Sequence, residues 1–117
     1  MPVREILLLG NPKLYIISTE VKKEELQKME SVVQDLHDIL IDFKQKYKAG
    51  RAIAAPQIGV MKRLIYLYIS KPMIFINPQL QFPGSESIEI WDDCMSFPEL
   101  LVKVRRHQRC GVTYRDL

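Results

Sequence analysis

Histidine and cysteine are scarce in this chain, with two of each in 117 residues, and tryptophan occurs once. Cys94 and Cys110 are too few for a disulfide framework. Free thiols or thiolate ligands are the better reading, and with them a reducing, cytoplasmic setting. No apolar run approaches the length of a bilayer crossing, which excludes an integral membrane protein. The N-terminal stretch MPVREILLLG carries one basic residue and an apolar run shorter than a signal peptide's. Internal repeats and low-complexity tracts are also absent. Lys and Arg outnumber Asp and Glu by only 17 to 14, for a net charge of +3. That imbalance is too weak to argue for nucleic acid, and no nucleic-acid partner is expected.

What is present fits one ordinary globular domain over residues 1–117, with 47% hydrophobic and 26% charged residues. A chain of this size buries enough surface to fold without disulfides. Asn11 and Pro12 mark a turn after Gly10. From Lys23 to Tyr47, apolar residues fall at Leu26, Met29, Val32, Val33, Leu36, Ile39, Leu40 and Phe43. That is helical spacing, with Lys, Glu, Gln and Asp on the other face. Gly50 follows a Lys-rich last turn and suits a helix C-terminus.

The periodicity then changes. Arg63 to Ile69 and Met73 to Asn77 read as neighbouring strands around Ser70-Lys71-Pro72, and Ser87 to Trp91 and Leu101 to Tyr114 continue the pattern. One long helix followed by many strands means an α+β fold with antiparallel pairing, not a parallel α/β one. His37 falls on the polar side of the helix and reads as a solvated surface residue. Lys103, Arg105, Arg106, His107 and Arg109 form a basic cluster, read as a solvated face that resists aggregation rather than an RNA or acidic-peptide site.

Two stretches ask for chemistry. In Asp92-Asp93-Cys94-Met95-Ser96 a cysteine follows two acids, whose charge opposes a free thiolate. A metal ion would overcome that by deprotonating the thiol. The plainer reading, favoured from these residues alone, is a small buried hydrophobe. In Ala52-Ile53-Ala54-Ala55-Pro56-Gln57, small residues let other backbone approach, and Pro56 sets the turn. Gln57 then either places an amide donor in a cleft for an oxyanion or merely satisfies backbone groups.

Taken together, the two stretches resemble the peptide deformylases, metal hydrolases that remove the formyl group from N-formylmethionine on new polypeptides. That family carries G-x-G-x-A-A-P-Q, then E-G-C-L-S, then H-E-x-x-H. Gly50 to Gln57 match the first motif with Ala52 for the second glycine, and Asp92 to Ser96 match the second. Ile76-Asn77-Pro78, Phe97-Pro98-Glu99-Leu100, Val104, Arg106 and Val112 to Asp116 follow at family-like spacing, so the resemblance covers essentially the whole chain.

The resemblance implies that Gly50, Ala52, Ile53, Asp93 and Arg106 line a substrate cleft. It implies that Gln57 and the backbone N–H of Met95 donate to the developing oxyanion. Cys94 would be one of three ligands to Fe(2+) or Zn(2+), beside two histidines of the third motif, whose Glu would be the general base.

The third motif does not occur in these 117 residues. His37 and His107 are the only histidines, neither stands in H-E-x-x-H, and His107 matches a non-ligand strand position. One ligand does not hold a metal usefully, so none is expected on this chain alone, and the isolated chain is expected to be inactive. Asp92 for Glu, Asp93 for Gly, Ala52 for Gly and Arg51 for an apolar residue point the same way. The family's third-motif helix packs centrally, so a fold lacking it is expected to expose apolar strand faces. A homodimer, or another protein, is expected to cover them. Retained binding of N-formylmethionyl peptides, a purely non-enzymatic binding module, and an active site completed by another subunit are the alternatives.

Overall fold

The computed structural model describes residues 6–48, 50–82, 84–94, 96–107 and 110–116. Its long helix, α1, spans Leu26–Tyr47 and is led in by a 3-10 turn over Lys23–Glu25. Helical spacing places Met29, Val32, Leu36, Ile39, Leu40 and Phe43 on one buried stripe, as the periodicity predicts. The lead-in is fixed by Glu25. Its carboxylate accepts from the Lys22 backbone N–H at 3.0 Å and pairs with Lys62 at 2.9 Å. The Lys62 hydrogen bond, with the Lys22 N–H adding to it, holds this carboxyl below its usual pKa.

The helix stops differently from expectation. Lys48, not Gly50, takes the left-handed cap at φ 54°, and its N–H donates to the Lys44 carbonyl. Gly50 is left-handed too, at φ +107°, where a Cβ would stand 3.1 Å from Phe43 Cδ1. Glycine is required there because the chain turns tightly over the helix it has just left.

Four strands form one antiparallel sheet in the order β1-β2-β3-β6: β1 Ala52–Ala54, β2 Leu64–Tyr68, β3 Pro72–Gln81 and β6 Gly111–Arg115. A separate hairpin pairs β4, Ser87–Cys94, with β5, Phe97–His107. All ladders between these strands are antiparallel, so the α+β class holds. The run from Leu101 to Tyr114, read as one strand, is two, and they belong to different sheets. The core lies between α1 and the sheet: Leu36, Ile39 and Leu40 meet Ile53, Ala55, Ile58, Leu64, Tyr66 and Ile76.

His37 corrects the reading of a solvated side chain. It is half-buried, with Nδ1 2.7 Å from the Tyr66 hydroxyl and its ring edge-on to Tyr66 and Tyr68. Tyr66 and Tyr68 of β2 stand against the helix here and cover what helical periodicity assigns to water. Burial, with Tyr68 adding to it, pushes the Tyr66 hydroxyl's pKa upward.

Asn77 stitches the segment before α1 onto the sheet. It sits at φ 51°, where β3 shifts register between Ile76 and Gln79. Its Oδ1 accepts from Val21 N at 2.8 Å, its Nδ2 donates to Val21 O at 2.9 Å, and its own N–H donates to Arg63 O at 2.8 Å. Asparagine tolerates this backbone better than most residues, and its amide replaces a missing strand partner for Val21.

Candidate functional site

The chain leaves β1 into a 3-10 turn over Ala55–Ile58, with Pro56 in its first turn and Gly59 closing it at φ 85°. Proline suits that position because its fixed φ matches the turn and no N–H is lost there. Gln57, two-thirds along, folds back so that the Ala54 backbone N–H donates to its Oε1 at 2.9 Å. A backbone N–H can only donate, so this bond assigns the amide: Nε2 points the other way.

That other direction holds Cys94. Gln57 Nε2 lies 3.4 Å from Cys94 Sγ and 3.0 Å from Ser96 Oγ. Gln57 thus both satisfies a backbone group and presents a donor beside the thiol. Cys94 ends β4 half-buried, and the Ser96 N–H also leans on its sulfur at 3.5 Å.

Elements from three parts of the chain fix this meeting. The Leu7 N–H donates to Gln57 O at 2.7 Å and the Leu9 N–H to Ser96 O at 2.8 Å. Residues 7–9 therefore strap the 3-10 turn, which follows β1, to the end of the hairpin, which is not paired with the sheet of β1.

β1 is an edge strand. Tyr68 N donates to Arg51 O at 2.8 Å, so ladder alternation gives Arg51 and Ile53 to β2 and turns the backbone groups of Ala52 and Ala54 outward. Ala54 N is taken by Gln57, and exposed Ala52 is left on the open edge. The Ile53 side chain is 1% exposed and belongs to the core. Gly50 lies back against Phe43, at the head of the strand. Met95 and the Asp93 side chain lie outside what the structure describes.

Arg106 is exposed and paired with Asp92, while Lys103 and Arg105 pair with Glu89 at 3.0 and 3.2 Å. Lys103, with Arg105 adding to it, holds the Glu89 carboxyl below its usual pKa. These cations are neutralised within the hairpin, in keeping with a solvated face. Arg105 and Arg106 also line an open groove of about 460 Å³ with Leu80, Phe82, Val104 and Cys110, away from Gln57.

Among the described residues no three His, Cys, Asp or Glu side chains cluster, and His37 is engaged by Tyr66. Cys94 is one suitable donor, which does not make a three-ligand site. Ser96 was not singled out in the sequence. Its only sign there was its place at the end of the second motif.

The site thus sets an amide donor beside a thiol, next to an open strand edge in an α+β fold. The family follows from comparison. A model described as polypeptide deformylase matches residues 3–117. Peptide deformylase 1 of Prochlorococcus marinus is 36% identical over 129 residues, covering 100% of this chain and 64% of that protein. The Pseudothermotoga lettingae peptide deformylase is 34% identical, covering 97% of this chain and 63% of its own length. Among solved structures, peptide deformylase from Thermotoga maritima superposes with a TM-score of 0.81 at 26% identity, over 99% of this chain and 76% of that one. The Ehrlichia chaffeensis enzyme gives 0.84 at 25%, over 98% and 69%. The chain belongs to the polypeptide deformylase family, and it spans less than two thirds of the length of these two curated relatives.

Proposed function

We propose that this chain carries the peptide-holding and oxyanion-facing part of a deformylase site, and that by itself it binds N-formylmethionyl peptides without hydrolysing them. The observation that carries the reading is the Gln57 amide N–H aimed at Cys94 across 3.4 Å. A donor preset where charge develops on a carbonyl oxygen stabilises the transition state, and losing one such donor costs about 10²–10³ in rate. Ala52, on the open edge of β1, offers backbone groups to an extended peptide. The family's reaction also needs a general base and further ligands to Fe(2+) or Zn(2+), which this donor set does not supply. No catalytic step is therefore assigned to the chain alone. Its two free thiols suit a reducing, cytoplasmic setting.

The test pairs binding with turnover. An N-formylmethionyl peptide is expected to shift the Ala52 and Gln57 amide signals, at least tenfold more tightly than its unformylated form. With Fe(II) or Zn(II) added, formate release is expected to stay at background, and bound metal at the level of a Cys94→Ser control. Near-stoichiometric metal lost in that control, with formate released, would overturn the inactivity. Equal binding of both peptides would overturn the peptide reading.

The same reading extends to assembly. Trp91, Leu80, Phe82, Ile88 and Tyr114 are exposed at 67, 62, 47, 42 and 46%. Large apolar side chains left exposed are candidates for a partner's contact. A second copy of the chain covering them is expected to give a solution mass near twice 13.7 kDa by sedimentation. A monomer at micromolar concentration speaks against the covered face.

A further inference from the structure

We propose that Ser96 is a positioning residue: its hydroxyl holds the Gln57 amide so that one Nε2 hydrogen stays directed at the Cys94 side of the cleft. The inference rests on the deformylase reading for what that hydrogen is used for, but the positioning itself concerns groups all present in the chain.

The Ala54 bond fixes only the oxygen end of the amide. Nε2 carries two hydrogens about 120° apart, and they meet two unequal acceptors. A hydroxyl oxygen at 3.0 Å is an ordinary hydrogen-bond partner, whereas a thiol sulfur at 3.4 Å is a weak one. Ser96 therefore anchors the amide. The hydrogen facing Cys94 is held loosely and can turn to an oxygen that gains negative charge beside the sulfur.

Ser96 is itself immobile enough for the task. It is 6% exposed, its carbonyl is held by the Leu9 N–H at 2.8 Å, and the Gln57 carbonyl is held by the Leu7 N–H at 2.7 Å. One short strap thus fixes the backbone at both ends of the Gln57–Ser96 bond. Without the hydroxyl, one Nε2 hydrogen has no acceptor, and the amide is held at its oxygen end alone.

The test reads the amide directly, by hydrogen exchange of the Gln57 side-chain NH2 signals in the 15N-labelled chain. In the wild type, one proton is expected to exchange at least tenfold more slowly than the other. Ser96→Ala is expected to bring both to the faster rate, and Ser96→Thr, which keeps a hydroxyl, to restore the slow one. Two protons exchanging at the rate of a free amide in the wild type, or a slow proton that survives in Ser96→Ala, overturns the proposal. If Ser96→Ala does not fold, the wild-type rates decide alone. Binding of the N-formylmethionyl peptide is read on the same samples. A slow, Ser96-dependent proton in a chain that ignores the formyl group overturns the deformylase reading and leaves the positioning. Formyl-selective binding with a free amide does the reverse.

Discussion

Leu36→Ala is expected to lower the free energy of unfolding by about 3–4 kcal/mol, inside the 2–5 kcal/mol span of buried leucine truncations. Leu36 is 0% exposed and centred on the stripe of α1 that meets Ile53, Ala55 and Ile58. The loss has two parts: transfer of the removed methyl and methine groups to water, and the cavity left where the sheet cannot follow the helix inward. Urea unfolding checks it. The midpoint should fall while the slope stays the same, because the surface exposed on unfolding hardly changes. The site is expected to feel the cavity as well, since Ala55 and Ile58 bracket Gln57 and anchor its 3-10 turn in the same cluster. A loss below about 1 kcal/mol would mean that the helix does not pack as described.

Asn77→Ala is expected to cost about 2–4 kcal/mol, almost as much, by a different route. The side chain makes two hydrogen bonds to Val21, which is 4% exposed, so alanine leaves the N–H and C=O of that residue without them. Alanine also lacks the polar side chain that lets asparagine tolerate the positive φ of 51°. Asn77→Gly separates the two causes. It relieves the backbone and is expected to recover about 1 kcal/mol relative to alanine, leaving the lost bonds as the remainder. Equal stability of all three proteins would show that Val21 finds other partners, and that the segment leading into α1 is not held by β3.

The two sites differ in how much the chain announces them. Leu36 stands in a run of apolar residues three and four apart, which no other periodicity explains, so α1 and its buried face were legible. The neighbouring strands around Pro72 were legible too, from aromatic and β-branched runs. Asn77 looked like the end of a strand. Its role depends on Val21, 56 positions away, and on a register shift that no local pattern encodes. His37 failed for the same reason: helical spacing puts it on the polar side, and only the placement of Tyr66 and Tyr68 covers it. In the run from Leu101 to Tyr114 only Val102 and Val104 alternate with Lys103 and Arg105, and no turn residue pair marks a break. Its break into β5 and β6 follows from pairing with different partners, Ser87 to Cys94 in one case and β3 in the other.

From residue order alone came the class of fold, the long helix, the kinship with deformylases and the choice of Gln57 and Cys94. Each rests on local spacing or on a motif whose residue types are themselves the signal. Tertiary structure decided the rest of the site. It turned the Ile53 side chain into the core, because successive side chains take opposite faces of a strand, and left the Ala52 backbone on the open edge, because an antiparallel ladder hands alternate residues to its neighbour. It also set the direction of the Gln57 amide. That depends on a backbone N–H three residues back and a serine hydroxyl 39 residues on, brought together by a strap from the start of the chain. A hydrogen-bond direction is a property of partners in space, and those partners are chosen only when the sheet, the hairpin and the N-terminal segment close on one another.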